Sequence, residues 1–441
     1  MRFVAALLAL AACGDDAPDV FGDTRTIDLT FPSVPNRKLD LLLMVDDSAS
    51  VADFQADVST AMQSVLDDLR AVSGSLPDLH VGIITSDLGT MGSLDPANPG
   101  PAIGQVGNGG CAGAGDDGRL QTFGAGVTGA FLIDEDDGVG GRIRNYQNDT
   151  AATIGQMIRG AGAGGCGFEQ PLHAIRRGLL HPANQGFIRA GAHLGVFILA
   201  DEDDCSFLDP RLLTTDTSEL GPLQSFRCSE HGVVCDQPVT DVGPKTGCRP
   251  REDSVYVEGI EVTRALLRSM KPSPADLSFF ALIGDPTPFA VELRSPPGGG
   301  DGQRALAHSC SYTGPMGLAV ADPGVRVTAL ANDFGGRGAT TSLCGIFASK
   351  RLDELTRLLK HPLGVVCLDT SRITITSTDQ GLQPACELTE IIGDTVTQIT
   401  DYSITADATA CPETTDHLRL VVRGASTAPG AYIRARCETP F

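Results

Sequence analysis

Leu39-Asp40-Leu41-Leu42-Leu43-Met44-Val45-Asp46-Asp47-Ser48-Ala49-Ser50 runs from an apolar block into acids and hydroxyls, spaced Asp46-x-Ser48-x-Ser50. An apolar run this short, bounded by polar residues, reads as a strand buried on both faces. Beyond Ser50 the pattern becomes helical, with Phe54, Val58, Met62, Val65, Leu66 and Leu69 on one face. Strand, polar loop and helix make the first half of a βαβ unit. In open α/β sheets ligands meet the carboxyl ends of the strands, so these oxygen-bearing side chains are placed to hold a hard cation. The same residues have another use: they can cap the helix that follows.

Working outward, further buried strands are expected at Leu79–Ile84, Gly195–Ala200, Leu277–Ile283 and Val325–Leu330. Helices are expected at Ala151–Ile158, from Pro171 to Pro182, over Val255–Met270, and around Ile346, Leu352, Leu355 and Leu359. The third strand runs straight into Asp201-Glu202-Asp203-Asp204-Cys205, a second acidic loop at a strand end. Phe131-Leu132-Ile133 reads as a short edge strand, and Asp134 to Asp137 as a solvated loop after it. Gly160, Gly162 and Gly165 spell G-x-G-x-x-G, but they follow a helix where a dinucleotide fingerprint must follow a strand. The fold class is therefore α/β, a mostly parallel Rossmann-type sheet with helices on both faces. Insertions interrupt it at 89–150, 205–250 and 286–324. After Pro362, segments rich in Thr, Val and Ile alternate with period two, giving a small β-domain over 362–441.

The 441 residues carry a net charge of −22, which excludes nucleic acid as a partner and suits a surface that attracts cations. Met1 to Ala12 has a charged start and an apolar core too short to span a bilayer. Leu10-Ala11-Ala12-Cys13-Gly14 resembles a bacterial lipoprotein signal. That resemblance implies cleavage before Cys13, a lipid on its sulfur, and anchoring in the cell envelope facing periplasm or exterior. An ordinary secretory signal is the alternative. Residues 13–36 read as an acidic tether, with Thr26–Phe31 available as an edge strand. Twelve cysteines remain after Cys13, an even number that favours disulfides in an exported chain. The pairs Cys111–Cys166 and Cys310–Cys344 are expected; the other eight cysteines are left unassigned.

The order strand, Asp-x-Ser-x-Ser, helix, buried strands, then strand-Asp resembles the von Willebrand factor type A domain, over 37–361. The resemblance implies a metal-ion-dependent adhesion site holding Mg²⁺, Mn²⁺ or Ca²⁺. Carried over, Ser48 and Ser50 bind the ion through hydroxyls, Asp46 directly or through water, and Asp201 completes the set. The family's middle loop offers a threonine after Gly-Gly, whereas here Gly164 and Gly165 precede Cys166. A disulfide sulfur is no ligand for a hard ion, and Glu169, one turn on, is the substitute. Such an ion keeps an open position that a protein partner's carboxylate can fill, with the lipid as the sole membrane contact.

There is no G-x-S-x-G elbow and no H-E-x-x-H, so the chain reads as a binder rather than an enzyme. Two other readings stay open: a lipoprotein with a degenerate, metal-free site, and a metal-dependent hydrolase. Asp46-x-Ser48 lacks the second carboxylate that aspartyl-phosphate phosphatases require.

Overall fold

The computed structural model describes residues 26–296, 299–314, 317–345, 352–378 and 381–440. The expected leader and Cys13, the expected site of lipidation, lie outside them.

In chain order the principal elements begin with β1 (Thr26–Pro32), β2 (Lys38–Val45), α1 (Ala52–Ala71) and β3 (Asp78–Thr85). Next come β4 (Leu132–Asp136), β5 (Arg142–Arg144), α2 (Thr150–Gly160), α3 (Pro171–Leu180) and β6 (His193–Leu199). Then follow α4 (Ile260–Ser269), β7 (Leu277–Ile283), α5 (Val325–Asn332), β8 (Gly338–Ser342) and α6 (Asp353–Lys360). One seven-stranded sheet has the order β8-β7-β6-β2-β3-β4-β5. It is parallel from β8 to β3 and antiparallel at β3-β4 and β4-β5.

The alternation along β2 explains the two layers of helices. Leu39, Leu41, Leu43 and Val45 face α1, α2 and α6, packing with Phe54, Met62, Ile154, Ile158 and Leu355. Leu42 and Met44 face the other way, onto Leu172 and Ile175 of α3, Leu267 of α4, and Val327 and Leu330 of α5. Each fully buried apolar side chain contributes about 1.5–3 kcal/mol, so a central strand with no exposed side has one stable register. Asp40 is the exception in that run. It is fully buried, and Arg189 meets it with Nε at 2.8 Å and its backbone N–H at 2.7 Å.

Three expectations are corrected. Val325–Leu330 is not a strand but most of α5, and the fifth parallel strand is β8. The β-branched residues there favour strand on propensity alone. The packing of Val327 and Leu330 against the sheet, and acids that bind the helix start, override it. The acidic run 134–137 is not a solvated loop. Asp134 sits in β4, fully buried, and pairs with Arg142 at 2.6 Å and Arg144 at 3.2 Å while accepting from Tyr146. The helix expected from Val255 begins only at Ile260. The part of the closing helix expected around Ile346 falls outside the described residues.

Among the described residues the C-terminal region forms two larger antiparallel sheets and a two-stranded one, Ile375–Thr378 with Gly381–Pro384. Of the larger two, one contains Cys386–Ile392, Thr395–Gln398 and Tyr432–Glu438; the other contains Val366–Leu368, Tyr402–Ala406 and Leu418–Val422. β1 joins the first as its edge, Thr26 opposite Glu438, so the described end of the expected tether is a strand. Leu29 and Phe31 share a core with Leu368, Leu388, Leu418 and Ile433.

Six disulfides link all twelve cysteines after Cys13. Cys111 is joined to Cys166 and Cys310 to Cys344. The unassigned ones pair as Cys205–Cys228, Cys235–Cys248, Cys367–Cys411 and Cys386–Cys437.

Candidate functional site

The sheet reverses its order of growth at β2. The chain moves from β2 to β3 on one side, and β6 returns on the other. Loops leaving β2 and β6 therefore diverge above a crevice at the carboxyl ends of the strands, the usual ligand position in such sheets. The backbone N–H of Asp46 donates to Leu199 O at 2.8 Å, which locks the two corners together.

Asp46, Glu169 and Asp201 converge in this crevice. One carboxylate oxygen from each lies within 4.8 Å of the other two. The three residues are 0%, 2% and 2% exposed. Asp46 Oδ2, Glu169 Oε2 and Asp201 Oδ1 are each buried without a hydrogen-bond partner. A buried carboxylate oxygen left unpaired costs free energy, and three carboxylates gathered this closely cost more through mutual repulsion. Burial raises Glu169 well above the usual carboxylate range, and Asp46, Glu202 and Asp201 push it further. Burial likewise raises Asp201, helped by Asp46 and Glu202, while the Ser50 hydroxyl pulls the other way.

The surrounding loops hold this geometry. Asp46 Oδ1 accepts from the Ser48 N–H at 2.7 Å and from Ser86 Oγ at 3.3 Å. Ser48 and Ser50 hydroxyls lie 3.2 Å apart. Ser48 makes no side-chain capping bond to the turn after it, so its hydroxyl is not spent on the helix start. Ser50 is exposed at the mouth of the crevice. Gln55 reaches from α1 to Asp46 O at 2.8 Å and Gly162 O at 2.7 Å, tying the glycine-rich loop to the β2 corner.

Cys166 occupies the position where the resemblance implies a threonine. It is fully buried, bonded to Cys111, and supplies no oxygen. Glu169, three residues on, brings its carboxylate to the cluster instead. Gly165 passes so close to Asp47 that a Cβ there would sit 2.3 Å from the Asp47 carboxylate, while its N–H donates to Asp47 O at 2.8 Å. Gly165→Ala is therefore expected to destabilise the chain by about 1–3 kcal/mol and to weaken any ion bound at the cluster. Urea unfolding and ion calorimetry on one preparation check both effects.

The run Asp201-Glu202-Asp203-Asp204 divides its labour. Asp201 faces the cluster. Asp203 accepts from the backbone N–H groups of Arg326 at 2.9 Å and Val327 at 3.2 Å, at the start of α5. Asp204 accepts from the Leu172 N–H at the start of α3 and from Arg326 Nη2, at 3.0 and 2.9 Å. Acids at helix N-termini satisfy orphan donors and complement the helix dipole. Two of the four acids are thus structural.

Sequence reasoning did not single out Ser86, Glu202 or Asp322 for the site, and it weighed Asp47, with Asp46 and Asp201, only as a metal holder in the hydrolase reading. Asp47 is pushed up to about 8 by burial and by Asp46, Asp87 and Asp116. The signal for Ser86 was present, since Thr85-Ser86-Asp87 ends the strand beside β2. Asp322 reaches the site through an insertion, its N–H donating to Asp201 O at 2.8 Å. Among the described residues one other group, Cys367, Cys411 and Glu413, has metal-ligand spacing. Its cysteines form a disulfide and Glu413 Oε2 pairs with Lys360 at 2.7 Å, which leaves a single carboxylate oxygen and no second ligand for an ion.

The cluster opens into a cleft of about 320 Å³ whose lining includes Ser50, Glu169, Asp201, Glu202 and Asp322. Its outer wall comes from the insertions, where Phe289–Arg294 pairs with Gln303–Leu306 and Gly243–Lys245. The Cys205–Cys228 disulfide borders it.

Fold and site together define a doubly wound α/β unit with a buried carboxylate cluster at its switch point. No protein-family model matches the chain, and no curated protein matches it significantly. Among solved structures, the pilus adhesin SpaC of Lactobacillus rhamnosus GG in its open conformation is similar at 11% identity and a TM-score of 0.31. That match covers 94% of this chain and 41% of SpaC. The pilus adhesin RrgA of Streptococcus pneumoniae is similar at 12% identity and a TM-score of 0.25, with 94% of this chain and 59% of RrgA covered. The chain thus spans less than two thirds of either adhesin.

Proposed function

We propose that this is an exported binding protein that engages a partner through a divalent cation held by Asp46, Glu169 and Asp201, in the manner of a von Willebrand A adhesion site. The observation that carries the proposal is the convergence of three buried carboxylates at the switch point, each of which also has one oxygen with no hydrogen-bond partner. A cation supplies the partner that all three lack, and hard oxygen donors suit Mg²⁺, Mn²⁺ or Ca²⁺. Ser48 and Ser50 stand beside the cluster as neutral donors. The opening into the cleft leaves a coordination position for a partner's oxygen, a carboxylate among them. Six disulfides fit an oxidising compartment. Among the described residues no helix is long and apolar enough to cross a membrane, and attachment through a lipid on Cys13 belongs to the same proposal.

Calorimetry with Mn²⁺ tests the site. The wild-type chain is expected to bind one ion per molecule and Asp46→Ala to lose that binding at least 100-fold. Equal affinity in the two proteins rules the site out.

A further inference from the structure

The C-terminal β-domain meets the α/β unit along β1, and a second cleft, of about 270 Å³, lies at that seam. On the strand Tyr432–Glu438, Ile433, Ala435 and Cys437 enter the β-domain core. Tyr432, Arg434 and Arg436 therefore stand on the opposite face. Asp28 and Thr30 of β1 share that face, since Leu29 and Phe31 enter the same core. The turn Gly335–Arg337, between α5 and β8, is pressed against β1. A Cβ on Gly336 would sit 2.4 Å from Asp28 O, so the close approach requires glycine. Arg337 and Arg434 thus line one cleft from its two walls.

The charges in this cleft do not cancel. Asp28 is matched by Arg436 Nε at 3.1 Å, and Asp333 by Arg264 Nη1 at 2.7 Å. Register explains why Arg434 is left over. Arg436 lies opposite Asp28 on one side and Glu387 on the other, whereas Arg434 lies opposite Thr30 and Thr389. Among the described residues the Arg434 guanidinium has no hydrogen bond or ion pair. Arg337 spends Nη1 on Pro274 O and Leu277 O, at 2.7 and 3.2 Å, and lies over the Phe334 ring. Among the described residues it meets no carboxylate. Burial, with Arg268 nearby, presses Arg337 down to about 10, so it stays charged at pH 7. In a chain of net charge −22, two half-buried cations without an acid stand apart.

We propose that this cleft binds a phosphate group between Arg337 and Arg434, with Tyr432 and Thr30 lining the same space as hydroxyl donors. A planar carboxylate is satisfied by one guanidinium fork. Guanidiniums arriving from two walls suit a tetrahedral anion, whose oxygens point several ways. A soluble ester and a phospholipid headgroup both present that chemistry. The site is separate from the carboxylate cluster and does not depend on an ion there.

Calorimetry on the full chain tests it with two probes. One is glycerol 3-phosphate, a soluble monoester; the other is glycerophosphoglycerol, the headgroup diester of phosphatidylglycerol. One phosphate per molecule is expected to bind, and acetate at least tenfold more weakly. Arg434→Met breaks no bond within the fold and is expected to weaken phosphate binding at least tenfold. Arg434→Lys keeps the charge without the fork and is expected to recover part of the loss. Arg211→Met, exposed and outside the cleft, is expected to bind as the wild type does. A melting curve for each variant confirms the fold. Tighter binding of the monoester assigns the site to a soluble phosphate, and tighter binding of the diester to a headgroup. No uptake of either probe overturns the inference. So does equal affinity for acetate, or phosphate binding that Arg434→Met leaves unchanged.

Discussion

Ca²⁺ or Mn²⁺ at 100 times its dissociation constant is expected to raise the melting temperature of the wild-type chain by a few degrees and to leave Asp46→Asn unmoved. Binding at that excess stabilises the folded state by about 2.7 kcal/mol. The effect grows with pH, for a reason that follows from the two raised carboxyls. Glu169 and Asp201 hold their protons in the ion-free fold over a range where the unfolded chain has lost them. The folded state then binds more protons, so ion-free stability falls as pH rises from the ordinary carboxylate values through the raised ones. An ion requires the same groups deprotonated. It therefore competes with protons at pH 5 and acts at full strength near pH 8. Asp201→Asn separates the two contributions. It removes a buried like charge, so at pH 8 the ion-free variant is expected to melt above the ion-free wild type, with a flatter pH profile and no response to the ion. Differential scanning calorimetry at both pH values, with chelator or with ion, reads all of this. A variant that melts below the wild type in chelator, or that still responds to the ion, overturns the account.

The part of this site written in one strand and its loop was legible in the sequence. Asp46 and Ser48 follow an apolar run with no exposed side, and Asp201 follows another. Both runs could only be central strands, and central strands deliver their carboxyl ends to one edge of the sheet. Glu169 was harder, because its role depends on the glycine-rich loop folding back under Asp47, a contact between residues 118 positions apart. Asp322 was out of reach for the same reason, since an insertion whose pairing no local pattern encodes brings its N–H to Asp201 O. Asp134 misled in the opposite direction. Four acids in a row look solvated, and nothing near them in sequence announces that Arg142, Arg144 and Tyr146 will close around one of them.

Arg326 shows what the misread helix concealed, and its removal is expected to be among the most damaging single changes in the chain. The residue is 1% exposed. Its guanidinium bonds to Asp204 Oδ2 at 2.9 Å, Gly232 O at 3.0 Å and Glu258 O at 2.5 Å, while its N–H bonds to Asp203. Read as a strand residue, Arg326 would alternate out to solvent. On α5 it points into the acidic loop that carries Asp201. Arg326→Met keeps much of the stem but leaves Asp204 and two carbonyls buried without their donor, a loss of about 3–5 kcal/mol. Urea unfolding measures it as a lowered midpoint with an unchanged slope. Asp204 also caps α3, and Asp201 lies three residues before it, so ion affinity is expected to fall as well. Arg326→Lys restores the charge but not the fork that reaches three acceptors at once, and is expected to recover part of the stability and little of the ion affinity. A Met variant as stable as the wild type would show that the acidic loop stands without Arg326. The link from α5 to the cation cluster would then be broken.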